Sequence, residues 1–212
     1  MDNILLLHER LVLNEIINYF DVESESIDDV LDIFVRVNSG GTVLSKSDLL
    51  FSTVVSHWDK AHDEIDELLV SINRIGDGYK FSNDFIMRIC LYLLNLPASL
   101  KVETFKKESV LHIKQEWPAI KKSVKDTVEL LRDFGFYYEN IISYVAINPV
   151  IYYYYYGGEF SNATKPELRK YLVMAQLKQI FGASNNTALA SIREVLSQEK
   201  GKPFTLKSLQ AI

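Results

Sequence analysis

The chain has 212 residues, 48% of them hydrophobic and 24% charged, which suits a folded domain and excludes a disordered one. No apolar run reaches the roughly 18 residues that a membrane-spanning helix needs. The start Met1-Asp2-Asn3-Ile4 lacks the basic region and cleavage site of a secretory signal. The single cysteine, Cys90, cannot pair within the chain, so a reducing cytoplasm is its expected setting.

Net charge is −5 but unevenly spread. Residues 1–80 hold 16 acidic and 6 basic side chains, a net of −10; residues 81–212 hold 12 and 17, a net of +5. The acidic front half argues against a phosphate-tracking surface there. In the back half, Lys121, Lys122 and Lys125 are candidate DNA contacts, as are Lys106-Lys107 and the group Lys165, Arg169 and Lys170. The alternative is that these lysines form solvated helix faces.

In chain order, helical apolar spacing covers residues 5–20 and 27–37, with a short alternating piece near 19–22. From 46 to 75, Leu50, Val54, Trp58, Ala61, Ile65, Leu68 and Ile72 recur in steps of three and four. They predict one long amphipathic helix, broken near Asp63. Ser45-Lys46-Ser47-Asp48 reads as its capping box and Gly76-Asp77-Gly78 as its stop. Further helices are predicted over 82–96, 102–116 (ending before Pro118), 119–134, 140–156, 165–181 and 185–198, with a short piece near Leu206. Asn148-Pro149 should interrupt the 140–156 segment, because proline removes a helix hydrogen bond. With no repeat, heptad array or low-complexity linker, the expected fold is mainly α. It is a single domain over 1–212, a multi-helix bundle with little or no sheet.

Several residue clusters bear on chemistry. His57 and His62 lie about 140° apart around a helix, so they do not converge as zinc ligands do, and no metal site is predicted. His62 instead reaches Asp66 one turn on. Cys90 sits in an apolar run and reads as core. "NPVIYYYYYGG" (148–158) places five tyrosines in a row. They are expected to fill the core and send hydroxyls to its rim; the alternative is a stacking platform for bases.

The remaining cluster is "IFVRVNSGGTVLSKSDLL" (33–50). Gly40 and Gly41 let successive amides point one way, and the next helix adds its unpaired N–H groups and positive dipole end. Arg36, Asn38, Ser39, Thr42 and Lys46 surround them, so the stretch has the ingredients of a nucleotide or other anion site. It is not a Walker loop, since no glycine-lysine-serine/threonine run follows. The alternative is a plain helix–helix turn in which Arg36 pairs with Asp32.

Phe34, Arg36, Asn38, Gly40, Gly41 and Leu44 resemble the Phe-x-Arg-x-Asn-x-Gly-Gly-x-x-Leu motif of the GmrSD-type restriction proteins, in their N-terminal domain. "FSNDFIMRICLYLL" (81–94), "INPVIYYYYY" (147–156) and "LRKYLVMAQLKQIFGASNNTALASIREVL" (168–196) are similar, in order, to later helices of that family. The resemblance spans nearly the whole chain. It implies a helical part of a nucleotide-responsive module in anti-phage defence, whose 36–42 turn and Lys46 help hold a nucleoside triphosphate with magnesium. Family members begin with an α/β portion bearing an Asp-Gly-Gln-Gln-Arg run, which does not occur here. The resemblance therefore implies a larger family domain lacking its first portion, with that portion and a nuclease domain or subunit as partners. It assigns this chain alone no catalytic residue and no cofactor.

Overall fold

The computed structural model describes residues 2–13, 21, 23, 33, 46–96, 102–181 and 185–209. Among them are eight α-helices and no strand, so the mainly α bundle expected from the apolar spacing is the observed architecture. The helices are α1 (Asp2–His8), α2 (Lys46–His57), α3 (Ala61–Asn73), α4 (Asn83–Leu93), α5 (Lys107–Asp133), α6 (Asn148–Tyr155), α7 (Lys165–Leu177) and α8 (Asn185–Gln198). A π-helical turn, Glu9–Leu13, prolongs α1. Short 3₁₀ turns occur at Val102–Phe105, Tyr144–Ile147 and Leu206–Leu209. The alternating piece near 19–22 lies outside the described residues, apart from Asp21.

The spine is α5, which packs against α2, α3, α4 and α6. Its length corrects the expectation of two helices separated at Pro118. Val110, Ile113, Trp117, Ile120, Val124, Val128 and Leu131 are all buried, in steps of three and four that run through the proline without a phase change. Such a stripe stays on one face only if the helix is continuous. An interior proline costs about 3 kcal/mol, whereas burying each of those side chains contributes about 1.5–3 kcal/mol. Packing prevails, and Pro118 itself faces solvent.

The predicted 46–75 helix is two, and the break falls at Trp58-Asp59-Lys60, earlier than Asp63. Trp58 is buried edge-on against Trp117, with ring centroids 5.2 Å apart, and the turn lets α3 restart with Ala61, Ile65, Leu68 and Ile72 on the core side. Ser45, the expected cap, lies outside the described residues.

Other helix ends follow local chemistry. Ser82 caps α4, its hydroxyl accepting from the Phe85 amide. Pro149 sits in the first turn of α6, where a missing N–H costs little, so the proline begins a helix here instead of interrupting one. Gly157 (φ 91°) closes α6: its amide donates to Tyr154 O at 3.1 Å, and that of Gly158 to Tyr153 O at 2.9 Å. This pairing satisfies two of the last carbonyls. At the end of α7, Gln179 takes φ 48° and turns the chain, so Phe181 packs into the core from outside the helix and not as its last turn.

The core joins α4, α6 and α8 to the spine. Nearly every residue of α4 is buried; its polar pair, Asp84 and Arg88, bonds along the outer face at 2.7 Å. In contrast, Ile4, Leu5, Leu6, Leu7, Leu11 and Val12 of the N-terminal helical piece are all exposed, Ile4 by 74%. Among the described residues no helix is long and apolar enough to cross a membrane.

Candidate functional site

Of the anion-site residues, Arg36, Asn38, Ser39, Gly40, Gly41 and Thr42 lie outside the described residues. Lys46 is the first described residue of α2, and nothing of its side chain or of the residues before it bears on the anion reading. From there α2 packs on α3, α4, α5 and the Val102–Phe105 turn, which roots the segment in the bundle.

The five tyrosines of α6 and its cap have the expected structural role. Tyr152 and Tyr153 are buried and Tyr154, Tyr155 and Tyr156 half-buried. Their rings pack against Tyr92, Phe204, Phe160 and one another. Every hydroxyl is engaged. Tyr156 donates to Leu93 O at 2.7 Å, Tyr155 to Glu116 at 2.8 Å and Tyr154 to Asp126 at 2.6 Å. The Tyr153 hydroxyl accepts from the amides of Glu159 and Phe204, and Tyr152 lies 3.5 Å from Asn95 Oδ1. Burial lifts the Tyr152 pKa to about 12. Cys90 is buried in α4, and loss of solvation pushes its thiol up to about 12. A neutral thiol in that setting is a small hydrophobe, not a nucleophile.

The candidate DNA contacts divide. Lys121 Nζ lies 3.3 Å from Glu64 Oε2, the oxygen that also accepts the Trp117 indole N–H at 2.8 Å. The indole bond first, and Lys121 second, outweigh burial and hold the Glu64 carboxyl below its ordinary value. Lys122 pairs with Asp126 and donates to Tyr154 Oη at 2.8 Å. Burial works to raise the Asp126 pKa, but the bonds from Lys122 and Tyr154 prevail and lower it. Lys125 is exposed. Two of the three cations thus sit on carboxylates of their own chain, which weakens the field a phosphate backbone would meet.

His62 meets Asp66 at 3.1 Å, as the one-turn spacing implied, and both are exposed. Among the described residues no group of three histidine, cysteine or acidic side chains is arranged to hold a metal ion.

A further face, visible in the sequence only as charge, lies between the end of α5 and α7. Lys165, Pro166, Arg169, Lys170, Val173 and Met174 of α7 line an open groove of about 800 Å³, with Asp133 and Phe134 at the end of α5 opposite. Its signal in the sequence was the 165–170 cation cluster followed by Val173 and Leu177 at helical spacing. What was missing was the knowledge that this side of α7 faces outward.

No protein-family model matches the chain, and no curated protein matches it.

Proposed function

We propose that this chain is the helical part of a nucleotide-responsive module of a restriction or anti-phage defence protein, and that it is non-catalytic on its own. Residues 36–42 and Lys46 contribute one wall of a nucleotide pocket, and an α/β portion supplies the rest. Arg36 pairs with phosphate as a bidentate donor, while the Gly40 and Gly41 amides and the α2 start line the anion. The observation that carries this reading is the order of the motifs. The Phe34–Leu44 signature precedes three segments that form α4, α6 and the α7–α8 pair, and these four helices share one core. A nucleotide bound at the start of α2 would then act on the bundle through the contacts of α2 with α3, α4 and α5.

Two measurements test it. An α/β portion bearing Asp-Gly-Gln-Gln-Arg is joined to the chain, and nucleoside triphosphate binding with magnesium is followed by calorimetry. Arg36→Ala and Asn38→Ala should each weaken binding; unchanged affinity sinks the pocket. Separately, the chain alone is assayed for triphosphate hydrolysis and nuclease activity. Turnover that disappears in Arg36→Ala would make it an enzyme, contrary to the proposal.

The exposed apolar residues Ile4 to Leu7 with Leu11 and Val12 favour a second reading, a helical protein-interaction domain whose glycine turn holds no ligand. The same calorimetry separates the two. DNA contact through the basic back half is the least supported reading, given the pairing of Lys121 and Lys122.

A further inference from the structure

The groove between α5 and α7 has two features that belong together. At its α7 N-terminal end the side chains of Lys165, Arg169 and Lys170 have no hydrogen-bond or ion-pair partner among the described residues. Asp133, the carboxylate that lines the groove with them, is already held by Arg132 at 2.8 Å, while Glu129 and Glu159 share the adjoining hollow with Lys165. Toward the other end the lining turns apolar with Val173, 38% exposed, and Met174. Beyond the groove, Leu177 is 75% exposed and Ile180, just past the helix, 43%.

Helical geometry makes this one face. At 3.6 residues per turn, Pro166, Lys170, Val173 and Leu177 stand above one another within about 60°. The face runs roughly 17 Å along α7 at 1.5 Å per residue, about three turns. A helix of this bundle would ordinarily bury an apolar stripe of that kind. Here α7 buries Leu168, Tyr171, Leu172, Ala175 and Gln176 on its other side and leaves a second stripe in water.

From this arrangement we infer that the α5–α7 groove is a docking site for an acidic amphipathic helix of a partner protein. The partner sets its apolar side chains on Val173, Met174 and Leu177 and its carboxylates on Lys165, Arg169 and Lys170. Charge complementarity selects the sign of the partner, and the concave apolar floor selects its class. A nucleic-acid backbone would satisfy the cations but leave Val173, Leu177 and Ile180 facing phosphate. The inference does not depend on the nucleotide reading, because no residue of 36–46 enters it.

The test uses the full chain and a labelled synthetic peptide of about 14 residues, roughly four helical turns. The peptide carries leucines at helical spacing on one face and glutamates on the flanks. Anisotropy should report micromolar binding. Arg169→Glu combined with Lys170→Glu should weaken it about tenfold or more, and Leu177→Ser should do so independently, with melting temperatures unchanged because all three side chains are exposed. A peptide with lysines in place of the glutamates should not bind. The proposal is overturned by absence of binding or by binding indifferent to all three substitutions. Tighter binding of a single-stranded oligonucleotide or of phosphatidylserine vesicles, lost in the same variants, would also overturn it. So would concentration-dependent self-association abolished by Leu177→Ser, which would assign the face to a second copy of the chain.

Discussion

Gln176 ties α7 to the strap that leads into α6, and replacing it with methionine isolates that tie. The side chain is 4% exposed. Its Oε1 accepts from the amides of Ile142 at 2.9 Å and Ser143 at 2.8 Å, and its Nε2 donates to Ser143 O at 3.0 Å. Methionine keeps length and volume but removes both polar atoms, so the cavity contribution is small. The Ser143 carbonyl keeps a second partner, the Ala146 amide at 3.3 Å, so the stranded groups are the two N–H donors. Each unsatisfied donor costs about 1–3 kcal/mol. Ile142 lies at the surface, where water can reach its amide, which lowers the sum to about 2–4 kcal/mol. In a chain of this size that is a fall in melting temperature of about 5–15 °C. Urea unfolding followed by circular dichroism measures it, with an unchanged slope showing that the unfolded state is the same. A loss below about 1 kcal/mol would mean that the strap finds other partners and that Gln176 does not hold it.

Gly158→Ala places a Cβ 2.4–2.5 Å from the Tyr153 ring, whose hydroxyl is fixed by two backbone amides, so stability should drop by about 1–3 kcal/mol in the same unfolding assay. Pro118→Ala restores an N–H to the exposed side of a continuous α5 and should raise stability by about 1 kcal/mol, the helix gain exceeding the added freedom of the unfolded chain; a loss would show that the proline shapes the helix. Glu64 has a folded-state pKa below its unfolded value, so its contribution is complete above the unfolded pKa and disappears as pH falls through the folded one. Glu64→Gln should therefore flatten the acid side of the stability profile, and an unaltered acid limb would refute the Trp117–Glu64–Lys121 linkage. Cys90 should resist a disulfide reagent in the native chain and react at the rate of unfolding; fast labelling under native conditions would contradict its burial.

Much of the fold was legible because it depends on short-range regularities. The three-and-four spacing identifies α4 and the core-facing stripes of α3 and α5, though not their ends, and the Asn185–Gln198 helix falls where its pattern placed it. Ser82 before Phe85 marks a start, and Gly157 after the tyrosines marks a stop, because capping is chemistry between residues a few positions apart. The tyrosine run was legible in kind, since consecutive large rings with polar tips belong at a core boundary. The anion-site reading rested on Arg36, Asn38 and the Gly40-Gly41 pair, which stand outside the described residues.

What tertiary structure decided were the contests between local and distant terms. Pro118 is a helix breaker by itself, and only the seven-residue stripe buried against four neighbouring helices keeps α5 in one piece. Asn148-Pro149 looks like an interruption until the preceding 3₁₀ turn makes it a beginning. Lys121 and Lys122 are free cations in one dimension and paired ones in three, because Glu64 is brought across from α3 and Tyr154 from α6. Lys165, Arg169 and Lys170 carry the same charge in the sequence, but their side chains pair with no acid among the described residues, and Asp133 in their groove belongs to Arg132. Helical class and helix ends come from interactions within a few residues, which a sequence displays directly. Continuity, pairing and exposure depend on which helices meet, and that is settled only when the whole core closes.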